Sequence, residues 1–173
     1  MDAKTDRESL AELVTRGGVY HGVSGNYPQE ILSNMINLLP VLACFKTETL
    51  QRKAALLQAV LEREALITTG IGRGIALPHP RTPLLGEGED PFVAIAFPVQ
   101  PLDWNTLDSS KVHTIFLIVS ESAKQHLGVL SKINFLCQKE KFYSLIKTQA
   151  PKEKIIAAIR DAETEWEKAA HRG

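Results

Sequence analysis

The sequence predicts a single α/β layer domain, and three observations carry that expectation. Apolar residues recur at helical spacing over residues 28–39 and 50–61. Two β-branched and aromatic runs of strand length, 92–97 and 112–119, follow a proline-rich loop. Helical spacing then returns after Ser122 and after Pro151. Helices before, between and after strands, in a chain of 173 residues, suit one core of ordinary size.

Taken in order, the first eight residues mix charges of both signs with no apolar stretch behind them. They are read as a short flexible tail rather than a leader, and the last few residues as another. Pro28 stands where a first helical residue would, and Ile31, Leu32, Met35, Ile36 and Leu39 follow up to the stop at Pro40. Thr47 is placed to cap a second helix whose core stripe is Leu50, Ala54, Leu57 and Leu61, which leaves Arg52, Glu62 and Arg63 off the core side. Residues 80–91, with three prolines, two glycines and three acids, read as a surface loop. The 112–119 run is apolar enough for a central strand covered on both faces. Ser122 and Gln125 form a capping-box-like pair ahead of Leu127, Leu130, Ile133, Leu136 and Cys137. The last helix opens near Pro151 with Ile155, Ile159, Ala162 and Trp166 on one stripe, and the charges of 163–168 are assigned to its solvated face.

Twenty Lys and Arg balance twenty Asp and Glu, so the chain lacks the basic surplus of a protein that binds nucleic acid by neutralising phosphates. No apolar run approaches the roughly 20 residues of a membrane span. Cys44 and Cys137 show no paired or metal-ligand spacing, a pattern of reducing compartments. A cytoplasmic protein with protein or small-molecule partners is expected, without nucleic acid, membrane insertion, metal or cofactor.

The chemistry concentrates in residues 68–81, Thr-Thr-Gly-Ile-Gly-Arg-Gly-Ile-Ala-Leu-Pro-His-Pro-Arg. Gly70, Gly72 and Gly74 free the backbone for positive φ and close approach. A short apolar strand then delivers His79 between two prolines. Ile75 and Leu77 stand where a dinucleotide fingerprint needs its last glycine, and no phosphate-binding GxxxxGK[ST] loop is present. Residues 22–25 lack the spacing of a serine-hydrolase elbow. A neutral imidazole near pH 7 offers a nucleophilic lone pair. Covalent phosphorylation fits the surroundings, because a phosphoryl group asks for backbone donors and fixed positive charge, and Gly72, Arg73, Gly74 and Arg81 supply candidates. Between Leu61 and Arg81 three arginines stand against two glutamates, while Glu87, Glu89 and Asp90 make the following loop acidic.

These residues resemble the signature of the enzyme IIA domains of the fructose/mannitol class, which includes the nitrogen-regulatory enzyme IIA, in the bacterial phosphoenolpyruvate-dependent phosphotransferase system. Thr69 to Gly72 and Ile75 to His79 carry the likeness. Arg63-Glu64 upstream, the 112–119 strand, the His126-Leu127-Gly128-Val129-Leu130-Ser131 segment and Gly17-Gly18-Val19-Tyr20 extend it over nearly the whole chain. The resemblance implies one enzyme IIA-like domain with a mixed sheet flanked by helices. It implies a phosphotransferase in which His79 accepts a phosphoryl group from the phosphocarrier protein HPr, Arg63 holds phosphoryl oxygens, and His126 is the second histidine of the site at a helix N-terminus.

The regulatory, nitrogen-type role is the first expectation. A sugar-transport enzyme IIA passing phosphate to an enzyme IIB is the alternative, as is a binding module that signals without phosphorylation. A metal-dependent hydrolase using His79, His113 and His126 ranks below both. His113 reads as a packed or edge histidine, His21 as part of a turn and His171 as part of the tail, and the two cysteines as small core hydrophobes.

Overall fold

The computed structural model describes residues 8–40, 49–85 and 89–170. The chain opens with α1 (Leu10–Gly17), β1 (Val19–Val23) and α2 (Pro28–Leu38), followed by the long α3 (Thr49–Leu66). A tight pair, β2 (Gly70–Gly72) and β3 (Ile75–Ala76), precedes the long strands β4 (Phe92–Pro98) and β5 (Thr114–Val119). Three helices complete it: α4 (Ala123–Gln138), α5 (Glu140–Lys147) and α6 (Lys152–Ala170). The strands form one sheet in the order β1-β4-β5-β3-β2. β4 runs antiparallel to β5 and β2 antiparallel to β3, while β1 with β4 and β3 with β5 are parallel. The sheet is therefore mixed and flanked by helices, as expected, and no described helix is long and apolar enough to cross a membrane.

The period of two in β4 and β5 divides the interior. Val93, Ile95, Phe97, Phe116 and Ile118 face a core shared with α1, α4, α5 and α6. Phe92, Ala94, Ala96, Ile115, Leu117 and Val119 face a second core shared with α2, α3 and Trp104. Both strands are buried along their whole length, which accounts for apolar runs without alternation. Val112, read as the start of the central strand, instead pairs with Leu102 in an isolated bridge.

Several expectations are corrected. The buried positions of α3 are Leu56 and Val60, while Leu50 is 81% exposed. The core-facing stripe is thus rotated from the predicted one and runs on toward Arg63 and Glu64 in the last turn; the Thr47 cap lies outside the described residues. In α4 the buried side chains are Val129, Ile133, Leu136 and Cys137, and Leu127 is 68% exposed. Burial in the apolar core pushes the Cys137 thiol up to about 12. His21 lies in β1, where its Nε2 meets the carbonyls of Gln149 and Ala150. Cys44, His171 and the expected flexible ends, residues 1–7 and 171–173, fall outside the described residues.

Glu163 overturns the solvated-face reading of residues 163–168, being 8% exposed. Its Oε1 accepts the Leu10 N–H at 2.5 Å and its Oε2 the Ala11 N–H at 3.2 Å, with Lys132 Nζ 3.4 Å away. A carboxylate is thereby held at the N-terminus of α1, where unpaired amides and the helix dipole favour negative charge. Glu163→Ala is expected to cost about 2 kcal/mol, since two buried amides lose a charged acceptor. A urea midpoint unchanged at constant slope would show that α1 is held without this cap.

Candidate functional site

The 68–79 segment folds as a hairpin whose turn is set by backbone sign. Gly72, Arg73 and Gly74 take φ of 92°, 54° and 73°, the left-handed region that glycine enters without cost. A side chain at Gly74 would place its Cβ 2.4 Å from the His113 ring, so the close approach also requires glycine. The loop before β5 braces the turn: Asp108 accepts the Arg73 N–H at 2.8 Å and Ser110 Oγ the Gly74 N–H at 2.8 Å. The hydroxyl of Ser110 and the backbone amides hold the Asp108 carboxyl well below the usual carboxylate range.

Past β3 the backbone carries His79 alongside β5. The Leu77 N–H donates to Thr69 O at 3.0 Å, and Ile118 N–H donates to Pro78 O at 3.0 Å. Pro78 and Pro80 are buried and His79 is partly exposed between them. The ring Nδ1 lies 2.7 Å from the Leu77 carbonyl oxygen. A carbonyl only accepts, so Nδ1 carries the hydrogen and the neutral ring keeps its lone pair on Nε2. Burial lowers the pKa of His79, opposed by the Leu77 carbonyl, with Arg63 lowering it further and Glu64 raising it. The ring is therefore neutral, and its nucleophilic nitrogen defined, at physiological pH.

His126 comes from the opposite side. Ser122 caps α4 by accepting the Gln125 N–H at 3.2 Å, which sets His126 in the first turns. Its ring centroid is 4.6 Å from that of His79 at an interplanar angle of 51°, and Ser120 Oγ is 3.5 Å from its Nδ1. Burial, then His79 and Arg63, bring His126 down to about 4. Arg63, in the last turn of α3, donates to the Ile67 carbonyl at 2.9 Å and presents its charge to both imidazoles. Arg81 is exposed and borders a cavity of about 200 Å³ together with Ser120, Ser122, His126 and Leu127.

The structure thus brings His79, His126 and Arg63 together, with Arg81 at the rim, and places Gly72, Arg73 and Gly74 elsewhere. The Arg73 guanidinium sits 3.8 Å over the Tyr143 ring, pairs with Glu140 at 2.6 Å and donates to the Cys137 carbonyl. Cys137 is near the far end of α4 from His126, about 16 Å along the axis at 1.5 Å per residue. His113 lies at that far end too, edge-on to Tyr143, so the three histidines do not converge. Among the described residues no three of His, Cys, Asp or Glu gather in a way that could hold a metal ion.

Sequence reasoning assigned no role to Glu64. Its carboxylate accepts from Thr69 N and Trp104 Nε1 at 2.8 and 2.9 Å and also takes the Thr69 hydroxyl. The signal was present, an acid four residues beyond Val60 on an apolar stripe, but it is visible only when α3 is phased on Leu56 and Val60.

The lowered histidines fix the sign of one pH effect. His126 has a folded pKa of about 4 against 6.5 for the free side chain. Between those values the unfolded chain binds a proton that the folded chain does not, so stability is complete above pH 6.5 and falls as pH drops toward 4. His79 and His113, also lowered chiefly by burial, act in the same direction. The share of His126, discounted for its partial exposure, is on the order of 1 kcal/mol. The urea midpoint is expected to be lower at pH 5 than at pH 7.5, and His126→Gln to reduce that difference. Equal midpoints at the two pH values would contradict the assignment.

The model of the family described as phosphoenolpyruvate-dependent sugar phosphotransferase system, EIIA 2, matches residues 21–162. The chain is 28% identical over 152 residues to the PTS system fructose-specific EIIABC component of Bacillus subtilis, covering 87% of this chain but 23% of that protein. It is 27% identical over 157 residues to a nitrogen regulatory protein of Pseudomonas aeruginosa, covering 89% of this chain and 96% of that one. In fold it is similar to the crystal structure of nitrogen regulatory protein IIA-Ntr from Neisseria meningitidis, with a TM-score of 0.71, 22% identity, and coverage of 86% and 97%.

Proposed function

The chain belongs to the EIIA 2 family of the phosphoenolpyruvate-dependent sugar phosphotransferase system, and from that premise we propose that it is a phosphocarrier whose acceptor is His79. The observation that carries the reading is the hydrogen bond from Nδ1 to the Leu77 carbonyl, 2.7 Å long, which leaves Nε2 as the nitrogen with a lone pair. In the transfer, Nε2 forms a bond to phosphorus as the bond from phosphorus to the donor breaks. The positive charge that appears on the ring is met at Nδ1–H by the Leu77 carbonyl, now a charge-assisted bond. The guanidinium of Arg63 binds the phosphoryl oxygens, whose charge is spread in the transition state. His126, kept neutral, adds no net charge and offers a ring N–H to the same oxygens. Transfer onward reverses the step, with the new acceptor attacking phosphorus and His79 leaving as neutral imidazole.

The donor is HPr, the setting is the cytoplasm, and the role is regulatory, of the nitrogen type. The alignment with the Pseudomonas nitrogen regulatory protein over 89% of this chain supports that role. The fructose-specific relative supports the second reading, transport with an enzyme IIB as acceptor. Incubating the protein with phosphoenolpyruvate and purified phosphotransferase components should add one phosphate mass, lost in acid and kept in base. Absence of the adduct while a known enzyme IIA is labelled in the same mixture would refute the phosphocarrier reading.

A further inference from the structure

We infer that Glu64 is a positioning residue, which sets the reactive nitrogen of His79 through a chain of backbone groups rather than by touching phosphate. This rests on His79 being the acceptor, but its first readout, the His79 tautomer, requires no phosphorylation. From the last turn of α3 the Glu64 carboxylate grips both the N–H and the hydroxyl of Thr69 at the start of the hairpin. The Thr69 carbonyl takes the Leu77 N–H at 3.0 Å, and the Leu77 carbonyl takes His79 Nδ1–H at 2.7 Å. The ring's tautomer thus depends on one carbonyl, whose own residue, Leu77, is held through its N–H in a rung anchored at the far side, at Thr69, by Glu64.

The anchor has a rigid back. Glu64 also accepts from Nε1 of Trp104, which is 2% exposed, and the Trp104 carbonyl accepts from the Thr68 hydroxyl at 2.7 Å. The Thr68 hydroxyl in turn accepts the Gly70 N–H at 3.0 Å. Arg63, the preceding residue, reaches forward to the Ile67 carbonyl. Adjacent side chains on α3 therefore span its exit into β2, one facing the imidazoles and the other clamping the rung that aims them. A movement of this clamp shifts Arg63 and His79 relative to each other, and such misplacement is costly where transfer depends on alignment.

Charge and clamp are separable by substitution. In Glu64→Gln the amide oxygen accepts from both Thr69 N and Trp104 Nε1, while the amide nitrogen donates to the Thr69 hydroxyl, so the geometry survives without the charge. Glu64→Ala removes every contact. Nitrogen-15 NMR at pH 7.5 should find His79 of the wild type in the Nδ1–H form, Glu64→Ala as a mixture of both tautomers, and Glu64→Gln restored to Nδ1–H. Labelling by phospho-HPr should fall about tenfold or more in Glu64→Ala and return to within about threefold of the wild type in Glu64→Gln, the loss and rescue expected of alignment. Should Glu64→Ala fail to fold, Thr69→Val, which removes only the hydroxyl contact, takes its place and should show the same mixture to a smaller degree.

A pure Nδ1–H tautomer with the wild-type rate in the contact-deleting variant overturns the inference. So does Glu64→Gln losing rate with its tautomer intact, which would make the charge the operative feature. A wild type that takes no label but shows the tautomer pattern above would sink the phosphocarrier reading and leave the clamp standing.

Discussion

Alanine in place of His79 is expected to leave a folded protein that accepts no phosphoryl group. The ring is partly exposed at a strand end, with the Leu77 carbonyl as its hydrogen-bond partner, so its removal costs little of the core. His126 stands close enough to be considered as a substitute acceptor, with ring centroids 4.6 Å apart. Among the described residues its ring meets the Ser120 hydroxyl at 3.5 Å, at the limit of a useful bond and able to donate or accept. Neither nitrogen of His126 is therefore assigned as the nucleophile, and among the described residues no carbonyl is hydrogen-bonded to its ring as Leu77 is to that of His79. Labelling of His79→Ala should fall to background while circular dichroism and the urea midpoint stay near those of the wild type. Label persisting at a tenth of the wild-type rate or more would place the acceptor elsewhere.

The second large effect is on folding. Gly17 ends α1 against the interior strand β4, and a Cβ there would stand 2.2 Å from the Val93 carbonyl oxygen and 2.4 Å from its carbon. The atoms it meets are backbone, in a strand paired with β1 on one side and β5 on the other. They cannot retreat without breaking a ladder, so α1 must lift away. Leu10, Leu13 and Val14, all buried, would be drawn with it. Gly17→Ala is expected to destabilise by about 3 kcal/mol or more, the upper range of overpacking. Gly128→Ala makes the same chemical change in open space on α4 and should be neutral or stabilise by up to about 1 kcal/mol. Similar urea midpoints for the two variants would show that the α1 and β4 backbones are not in the contact described.

The contrast between these positions explains what could be read from residues alone. Local signals were reliable: Pro28 does open α2, Ser122 does cap α4, and the apolar runs at 92–97 and 112–119 lie in buried strands and the short approach to one of them. The capping box of α1, Ser9 with Glu12, is equally local. Only eight residues follow it, too few for a periodic pattern, and they are held mainly by packing against β4 and α6. α5 buries only Phe142 and Ile146, too few for a periodic pattern. α3 offered two stripes, and the one richer in leucine was the more exposed. Glu163 finds its donors in residues 10 and 11, so nothing beside it in the chain distinguishes it from its solvated neighbours. For the site, the hairpin made the difference: Arg73 is near His79 in sequence, yet the turn carries it to the other end of α4, while Arg63 and His126 arrive from distant segments.

The division of the interior by the sheet has a consequence for how such a site can drift over time. Arg63 is carried by α3, which is seated through Leu56 and Val60 in one compartment, and His126 by α4, seated through Val129 and Ile133 in the other. His79 stands at the strand end where the two meet. Repacking in one compartment can therefore retune one arm of the site while the other keeps its place, as energetic effects at separated positions tend to add. Substitutions that repack one side of the sheet are thus expected to change the placement of the arginine or of the second imidazole beside His79 as separate traits.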